Sequence, residues 1–204
     1  MFIADKKMNY LNILKVIRGL NKDPKIKSIL DSINKDQLDN KKWLIEESEK
    51  YFYFHYKPNY RPKVLVVAGW YGLLANLISD RINERVHSSD IDPTCKEIGE
   101  KMFGENVKYT TKDINDYGRK HLEEYDFIIC TSCEHINDEL INKLISKKRE
   151  DAFVILQSNN YFELDEHINC KKSLLDFKNS IKLKIDYEGV KSFLKYDRYM
   201  LIGR

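Results

Sequence analysis

Small and acidic residues stand at the ends of the first three predicted strands, in an order suited to binding a nucleoside. The apolar run Val64–Ala68 ends in Gly69-Trp70-Tyr71-Gly72, where small residues let the backbone approach a ligand. Asp90 closes the second strand, 21 residues after Gly69, the distance at which a carboxylate can bind both ribose hydroxyls. Asp113 follows the third strand, where it could accept a hydrogen bond from an adenine amino group. Each residue alone could be a turn residue or a helix cap, so the predicted nucleoside site depends on the whole set.

A second group of polar residues follows the fourth and fifth predicted strands. His135 could remove a proton from an attacking nucleophile, because imidazole exchanges protons near neutral pH. Glu134 could orient a ring or bind substrate; the alternative for this pair is a helix-capping acid beside a rim histidine. The adjacent amides of Asn159 and Asn160, followed by Tyr161, could read a planar hydrogen-bonding edge or a carboxylate. We therefore predict that these five residues face a bound substrate.

The cysteine spacing does not predict a zinc or redox site. Cys130-Thr131-Ser132-Cys133 is a single CxxC pair, and Cys95 and Cys170 are remote from it in sequence. A structural zinc site needs four ligands at a recognisable spacing, and redox motifs begin a helix in a different fold context. Small thiols lining a strand end are the favoured interpretation.

Two histidines in predicted loops are the remaining candidates for a metal site. His135 and His167, with nearby acids, could in principle bind a divalent ion. Because histidine and acid pairs in loops are usually solvated, no metal is predicted. The sequence Glu134-His135-Ile136-Asn137 is echoed by Glu166-His167-Ile168-Asn169, which is too brief to indicate a structural repeat.

From residue 63 onward the hydrophobic pattern predicts strands that alternate with helices. Such alternation is typical of a parallel sheet with right-handed crossovers, and two final strands around a turn near Glu188-Gly189 add an antiparallel edge. The predicted fold class is α/β, a doubly wound, mostly parallel sheet with an antiparallel C-terminal strand. The predicted strands are Val64–Ala68, Arg85–Asp90, Asn106–Thr110, Tyr125–Cys130, Ala152–Gln157, Ile181–Tyr187 and Tyr196–Ile202. The predicted helices between them are Leu73–Asn83, Thr94–Phe103, Asn137–Lys147 and Ser173–Asn179.

Residues 1–60 predict a helical N-terminal extension, a lid or substrate-recognition element, before a domain at residues 61–204. Apolar residues recur at helical spacing over Tyr10–Leu20 and again from Ile26, and Asp39 could cap a third helix from Lys41 to about Phe54. Residues 1–63 carry a net charge of +6 on a chain whose total is +3. A basic extension could meet nucleic acid or an acidic partner, but its interleaved acids favour a solvated, Lys-rich face.

Composition indicates a soluble globular protein. The 204 residues are 42% hydrophobic and 33% charged, enough for one domain with a sizeable core. The longest apolar runs are too short to span a bilayer, and the first residues lack the apolar segment of a secretory signal. Four cysteines without export indicate reduced thiols, so a cytoplasmic location without membrane contact is predicted.

In their order, the motifs resemble those of the class I S-adenosylmethionine-dependent methyltransferases over roughly residues 60–204. The resemblance is carried by Val64–Gly72, Ser89–Pro93, Lys112–Ile114, Asp126–His135 and the final hairpin ending in Tyr199–Arg204. More narrowly, the Gly-Trp-Tyr-Gly loop, the Thr-Ser-Cys-Glu-His stretch and Gln157–Phe162 are similar to a group of small methyltransferases found in tailed bacteriophages. A viral origin would place the protein in the host cytoplasm.

The resemblance implies a Rossmann-like methyltransferase fold and S-adenosylmethionine as cofactor. An ungapped alignment places Ala68, Trp70 and Gly72 on the glycines of the usual Gly-x-Gly-x-Gly loop. Either the loop shifts so that Gly69 lies against the cofactor, or the Trp70 indole packs beside the methionine moiety. The implied cofactor-binding residues are Ala68, Gly69, Trp70, Tyr71, Gly72, Asp90, Ile91, Asp113, Ile114 and Ser132. The implied catalytic residues are His135 and Glu134, with Asn159, Asn160 and Tyr161 binding the substrate.

The leading hypothesis is methyl transfer to an unidentified acceptor, which could be a small molecule, a nucleic acid or a protein. One alternative keeps the cofactor but transfers its aminocarboxypropyl group; another is a methyltransferase-like fold used as a non-catalytic binding or structural module, prompted by Trp70. Asn159-Asn160-Tyr161 lacks the prolines of the Asn-Pro-Pro-Tyr motif and follows a different strand, so a DNA adenine methyltransferase is not predicted. The glycine loop is not a dinucleotide fingerprint either, which disfavours a nicotinamide-dependent oxidoreductase.

Overall fold

The computed structural model of the protein describes residues 10–20, 23–54 and 60–204. The chain divides into two compact units, residues 1–112 and 113–204, which we call the N-terminal unit and the C-terminal unit. The first residues of the chain, from which we expect no secretory signal, lie outside the described residues. No helix among the described residues is long and apolar enough to cross a membrane.

The N-terminal unit begins with three helices and continues as alternating strands and helices. The three strands lie in the order β3-β2-β1, and both neighbouring pairs are parallel. All four residues of β1 are buried, as expected of a parallel strand covered on both faces. Its elements are α1 (Tyr10–Leu20), α2 (Lys25–Ser32), α3 (Lys35–Phe54), β1 (Val64–Val67), α4 (Leu73–Ile82), β2 (Val86–Asp90), α5 (Pro93–Phe103) and β3 (Val107–Thr111).

The third helix begins earlier than the sequence pattern predicts. It starts at Lys35, and the side chain of Asn34 accepts a hydrogen bond from the Gln37 N–H (2.9 Å), as a helix cap does. Asp39 therefore does not cap the helix; it lies one turn inside and forms an ion pair with Lys35. Asn34 and Asp39 are both polar residues of the kind that caps helices. Only the position of the turn before Lys35 decides which of them is the cap.

The three leading helices pack onto the strand-and-helix part of the same unit. Helix α1 contacts α5, and α3 contacts α4. The apolar residues predicted to face inward include Ile13, Ile29 and Leu44, and all three are buried. Leu14 and Leu30, from the same predicted apolar faces, are 49% and 48% exposed, so the packing covers these faces only in part. The structure contains all three predicted helices, and their role as an extension stays a prediction.

The C-terminal unit contains the remaining four strands, in the order β4-β5-β7-β6. Strands β4 and β5 are parallel, whereas β7 is antiparallel to both β5 and β6. Its elements are α6 (Arg119–Leu122), β4 (Phe127–Cys130), α7 (Asp138–Ser146), β5 (Phe153–Asn159), α8 (Leu174–Ser180), β6 (Ile185–Ser192) and β7 (Asp197–Gly203), with 3-10 turns at Ile114–Asp116 and Cys133–His135. Parallel strands with intervening helices and an antiparallel C-terminal pair confirm the predicted fold class.

The predicted turn at Glu188-Gly189 is wrong. Both residues lie inside β6, where Gly189 pairs with Met200 of the neighbouring strand. The turn instead covers residues 193–196, closed by a hydrogen bond from the Phe193 N–H to the Tyr196 carbonyl (2.8 Å). Glycine in a sequence indicates a turn. In the edge strand β6, however, a glycine lowers stability only a little, because few side chains pack around it.

Candidate functional site

The loop after β1 holds three residues in the left-handed backbone region. The φ angles are 50° at Ala68, 52° at Trp70 and 85° at Gly72. These are the three positions that the alignment places on the motif's glycines. A residue with a Cβ loses about 1–2 kcal/mol in this region, so Ala68 and Trp70 are kept there against their preference. The left-handed backbone thus falls on Ala68, Trp70 and Gly72 and leaves out Gly69.

Gly69 lies outside the left-handed region and is needed for a different reason. A Cβ at this position would lie well inside van der Waals contact with the hydroxyl of Ser88 on β2. Its N–H donates a hydrogen bond to the Ser89 carbonyl (2.9 Å). The missing side chain thus lets the loop lie directly against the neighbouring strand.

Tyr109 fixes the other end of the loop. Its hydroxyl donates a hydrogen bond to the Tyr71 carbonyl (2.9 Å), and burial raises its pKa, so it stays protonated. A Cβ at Gly72 would overlap this hydroxyl. The Tyr71 ring stacks on that of Trp70 at 5.6 Å, and its own hydroxyl lies 3.0 Å from the hydroxyl of Ser28 in α2. The leading helices therefore contact the candidate cofactor loop directly.

Asp90, the last residue of β2, connects the loop to the next turn. Its two carboxylate oxygens accept hydrogen bonds from the N–H groups of Trp70 (2.9 Å) and Asp92 (3.1 Å). Each carboxylate oxygen offers two acceptor positions, so both oxygens can still accept a hydroxyl. The neighbouring Ile91 side chain is 65% exposed. An acid beside an exposed apolar side chain suits a ribose joined to a flat base.

Asp113 and Ser132, both in the C-terminal unit, flank short 3-10 turns. The Asp113 side chain accepts a hydrogen bond from the Asn115 N–H (2.8 Å) and so caps the turn that Ile114 begins. Ser132 is half-buried and precedes the turn Cys133–His135. The capping role that the sequence left open for Asp113 is therefore present, whatever further ligand the carboxylate takes.

The CxxC thiols lie in the apolar core of the C-terminal unit. Cys130 and Cys133 are buried within a cluster that includes Leu156, Phe177 and Tyr199. Burial raises the pKa of Cys133, which keeps the thiol neutral and unreactive. These cysteines lie at the end of β4, as predicted, and their side chains belong to the core.

Glu134 is one of two buried acids in the C-terminal unit, the other being Asp126. Its Oε1 accepts a hydrogen bond from Nη1 of Arg198 (2.7 Å), an equally buried residue of β7, while Oε2 has no hydrogen-bond partner among the described residues. Arg198 also donates to the Thr131 carbonyl, yet its Nε has no acceptor in the same part of the chain. Sequence reasoning missed Arg198, since nothing in an alternating strand pattern marks one residue as the partner of a distant acid.

His135 faces a second histidine. Its ring is exposed and lies 4.7 Å from that of His167, edge to face, with Nδ1 2.9 Å from the Glu166 carbonyl oxygen. A carbonyl oxygen only accepts, so Nδ1 of His135 carries the proton and Nε2 keeps its lone pair. His135 can therefore accept a proton at Nε2.

The substrate-binding candidates after β5 have internal partners. Asn159 is the buried last residue of β5 rather than a loop residue, and its Oδ1 accepts from the Tyr161 N–H (2.9 Å). The Oδ1 of Asn160 accepts from the Asp197 N–H (2.7 Å). The Tyr161 ring stacks on that of Tyr196 at 5.6 Å. The side-chain oxygens of Asn159 and Asn160 thus bond within the protein. Their side-chain amide nitrogens are the groups left to contact a ligand.

Asn169 and Lys171 hold the long loop between β5 and α8, and sequence reasoning missed both. Asn169 donates through its backbone N–H to the Glu134 carbonyl (2.8 Å) and through Nδ2 to the Ile136 carbonyl (2.6 Å). Lys171 forms a half-buried ion pair with Asp138 (2.6 Å). The repeated Ile-Asn pair after each histidine was the only sequence signal, and it was too short to interpret alone.

Comparison with known proteins finds similar solved structures but no similar sequence. No protein-family model and no curated protein matches the sequence. The N-methyltransferase NodS from Bradyrhizobium japonicum WM9 is 10% identical and superposes with a TM-score of 0.65 over 85% of this chain and 98% of its own. Magnesium protoporphyrin IX methyltransferase from Synechocystis PCC 6803, solved with bound SAM, is 18% identical with a TM-score of 0.60 over 96% and 93%. The plantazolicin methyltransferase BpumL, in complex with SAH, is 12% identical with a TM-score of 0.61 over 97% and 98%.

The fold is that of the S-adenosylmethionine-dependent methyltransferases. The superpositions on the magnesium protoporphyrin IX and plantazolicin methyltransferases cover more than nine-tenths of both chains. They therefore include the leading helices of this chain as well as its strands. The methyltransferase fold is thus shown for this chain, and its chemistry has to be argued from the residues themselves.

Proposed function

We propose that the protein is an S-adenosylmethionine-dependent methyltransferase, with an acceptor that is a small molecule, a nucleic acid or a protein. The observation that carries the proposal is the left-handed backbone at Ala68, Trp70 and Gly72, held by the carboxylate of Asp90. Two residues with side chains keep a strained conformation that the motif assigns to glycine. Strain of this kind persists where the surrounding structure imposes it, and it concentrates at binding sites.

The residues of the N-terminal unit fit the cofactor. The loop from Gly69 to Gly72 would hold its methionine end near the start of α4, where the helix N-terminus favours a carboxylate. Asp90 would bind the ribose hydroxyls and Ile91 would pack on the adenine. Asp113, Ile114 and Ser132, which the resemblance also assigns to the cofactor, belong to the C-terminal unit, and their roles stay predictions. The Trp70 indole, half-buried and stacked on Tyr71, would lie beside the methionine moiety.

The residues of the C-terminal unit would serve the acceptor. When bound, S-adenosylmethionine supplies an electrophilic methyl carbon, which the acceptor attacks in a direct displacement. His135 would take the acceptor's proton at Nε2, the nitrogen that its hydrogen bond to Glu166 leaves free. Glu134 would face the acceptor through Oε2, and Asn159, Asn160 and Tyr161 would position it through amide nitrogens and an aromatic face.

Cofactor binding is tested by calorimetric titration with S-adenosylmethionine and its demethylated product. Asp90→Ala should weaken binding by ~1.5–3 kcal/mol, the usual loss for a hydrogen bond to a charged group. Asp92→Ala is the matched control, because this neighbouring acid caps α5 through its hydrogen bond from Thr94 and should leave affinity unchanged. Wild-type affinity in Asp90→Ala would refute the ribose assignment. No binding by wild type at millimolar cofactor would favour a non-catalytic binding or structural module.

Proton transfer is tested with His135→Ala once an acceptor has been found with radiolabelled methyl donor. An exposed residue of this kind contributes little to stability, whereas a lost proton acceptor costs ~10²–10⁴ in rate. An unchanged rate and pH profile would remove His135 from the reaction. Detection of a transferred aminocarboxypropyl group instead of methyl, by mass spectrometry of the product, would select the alternative reaction.

The leading helices are proposed as a lid or recognition element for the acceptor. The contact between Ser28 and Tyr71 joins them to the candidate cofactor loop, and residues 1–63 carry a net charge of +6. If the acceptor is a nucleic acid, affinity of the full chain for it should fall steeply with salt, because phosphate contacts release counterions. Salt-independent binding would favour a small-molecule or protein acceptor. As part of the proposed function, we also propose that the protein is similar to bacteriophage methyltransferases and acts in the cytoplasm.

A further inference from the structure

The two Glu-His-Ile-Asn segments of the sequence lie against each other in the C-terminal unit. Nδ1 of His135 in the first segment donates to the Glu166 carbonyl of the second (2.9 Å). In the other direction, the Asn169 N–H of the second segment donates to the Glu134 carbonyl of the first (2.8 Å). The echo is therefore a contact between a turn after β4 and the loop after β5.

This contact brings three metal-ligating side chains together. One carboxylate oxygen of Glu134 and one ring nitrogen each of His135 and His167 lie within 4.8 Å of one another. Bonds of about 2.0–2.2 Å from one zinc ion to such atoms would set the ligands about 3–4 Å apart.

The hydrogen bonds of both rings leave the correct nitrogen for a metal. Nδ1 of His135 faces the Glu166 carbonyl, and Nδ1 of His167 faces the Tyr161 carbonyl at 2.8 Å. Since carbonyl oxygens only accept, both Nδ1 atoms are protonated and both Nε2 atoms keep a lone pair. Metal-ligating histidines are commonly oriented in this way, with the second ring nitrogen donating to a backbone carbonyl.

The third ligand supplies an independent observation. Glu134 is 4% exposed, and its Oε2 has no hydrogen-bond partner among the described residues, although Oε1 pairs with Arg198. An ionised oxygen buried without a partner is costly, and such groups in native structures indicate a ligand, an ion or a water. Its place in the same cluster as two histidines points to a cation.

The scaffold around the cluster is built to hold its geometry. Nδ2 of Asn169 donates to the Ile136 carbonyl (2.6 Å) and to the Asp138 carboxylate (3.0 Å), which ties the loop to the turn. The Lys171 N–H donates to the Asn159 carbonyl (2.9 Å) and fixes the far end of the loop to β5. The loop that carries His167 is therefore tied both to the turn that carries His135 and to the end of β5.

We propose that Glu134, His135 and His167 bind one divalent first-row transition-metal ion, such as Zn²⁺, Fe²⁺ or Co²⁺. Imidazole nitrogens favour these ions, whereas Mg²⁺ and Ca²⁺ take oxygen ligands. Three protein ligands leave coordination positions open, as in catalytic rather than structural sites. The proposal does not rest on methyl transfer. Metal binding and proton removal would both use Nε2 of His135, so they are alternative roles of this ring.

Metal binding is tested with untagged full-length protein and Co²⁺, in the absence of cofactor. The visible d–d absorption should saturate at one Co²⁺ per chain and disappear on addition of Zn²⁺. His135→Ala and His167→Ala should each weaken Co²⁺ binding at least tenfold, since even outer-sphere partners of a metal site contribute about 10–100-fold. His135 is exposed, so its variant stays informative if His167→Ala unfolds.

Two control variants separate this site from general metal uptake. His121→Ala removes another histidine of the C-terminal unit, one whose Nδ1 is bound by the Gly118 N–H, and should bind Co²⁺ as wild type does. Cys170→Ser removes the thiol 3.6 Å from Nδ1 of His167 and should also leave binding unchanged. Equal binding by wild type, His135→Ala and His167→Ala, or no binding by wild type at millimolar Co²⁺ and Zn²⁺, would overturn the proposal. Lost binding in Cys170→Ser would overturn this ligand set. Metal binding without S-adenosylmethionine binding would refute the proposed function alone.

Discussion

The candidate cofactor loop of the N-terminal unit and the histidine cluster of the C-terminal unit are built in opposite ways. The loop is five consecutive residues, Ala68–Gly72, and its special feature is backbone conformation. The cluster joins Glu134 to His167, 33 residues further along, and its special feature is a set of side chains. A site made of consecutive backbone can be recognised in sequence, whereas a site made of distant side chains needs the connecting loop to be placed first.

The two regions also carry their energetic cost in different forms. The loop keeps Ala68 and Trp70 at positive φ, a conformational cost that is independent of charge. The cluster keeps a buried carboxylate oxygen and a buried guanidinium nitrogen without partners among the described residues, an electrostatic cost. Substitutions that remove a side chain should therefore be most harmful in the cluster, and substitutions that add a Cβ should be most harmful in the loop.

The largest effect is expected from Glu134→Ala. Removing this carboxylate leaves Arg198 buried with neither full solvation nor its ion-pair partner, which typically costs ~3–5 kcal/mol in the free energy of unfolding. Glu188→Ala breaks an ion pair of similar length with Lys178 on the exposed surface and should cost at most ~1 kcal/mol. Urea unfolding of both variants measures the difference. Similar small losses in both would mean that the Glu134 pair is open to water.

Gly72→Ala comes next, at ~2–4 kcal/mol lost from the free energy of unfolding. About 1 kcal/mol comes from a Cβ at φ 85°, and the remainder from overlap with the Tyr109 hydroxyl. Gly99→Ala is the matched control, because its Cβ would lie 2.5 Å from the same ring without a positive φ. Gly99→Ala should therefore be the milder variant in the same urea assay. Equal losses would show that only packing, and not backbone strain, makes Gly72 necessary.

Asp92→Ala should cost ~1 kcal/mol at neutral pH through loss of the α5 cap. Hydrogen bonds from Thr94 lower the pKa of Asp92 in the folded protein. The carboxylate therefore contributes its whole stabilisation to the free energy of unfolding above the unfolded-state pKa, near pH ~4. This stabilisation is lost as the pH falls through the lower pKa of the folded state. The stability gap to wild type should narrow in acid. Asn137→Ala removes a neutral cap, on the Leu140 N–H of α7, and its gap should not change with pH. Parallel pH profiles for the two variants would contradict the charge-based account of Asp92.

The smallest effect is expected from Ala68→Gly. Relief of the positive φ offsets the greater chain entropy of an unfolded glycine, so the net change should lie within ~0.5 kcal/mol. Ala75→Gly, in the buried interior of α4, gains no such relief and should cost ~1 kcal/mol or more. Thermal unfolding compares the two directly. A loss at Ala68 as large as that at Ala75 would argue against left-handed backbone in the loop.

Most of the fold was predictable because its elements follow local rules. The buried run at β1 and the acid that ends β2 both lie where the pattern placed them, within one residue. The errors occur where two local signals compete. Asn34 and Asp39 are both good caps, and Gly189 is a turn residue that lies inside a strand. In each case packing against a neighbouring element, rather than propensity, selects the outcome.

The residues of the candidate sites also fall into two groups, those that local sequence order predicts and those that only contacts with distant residues reveal. The roles proposed for Asp90 and the glycine loop follow from residue order, and the structure adds the reason why Gly69 and Gly72 differ. Arg198, Asn169 and His167 gain their importance only from neighbours that are distant in sequence. Asn159 shows the reverse case, since a residue predicted for a loop is buried in β5 and uses its carbonyl oxygen internally.

By itself, the sequence determined the α/β class, the ends of β1 and β2 to within one residue, and the place of the candidate cofactor loop directly after β1. Those features depend on hydrophobic period and on backbone freedom, which are properties of neighbouring residues. Only the tertiary structure decided that Glu134 pairs with Arg198, that the two Glu-His-Ile-Asn segments meet, and that Glu134, His135 and His167 each bring one possible ligand atom within 4.8 Å of the others. The physical reason is that side-chain hydrogen bonds and charge pairs act over a few ångströms in space, and the chain brings residues that close only after its loops are fixed.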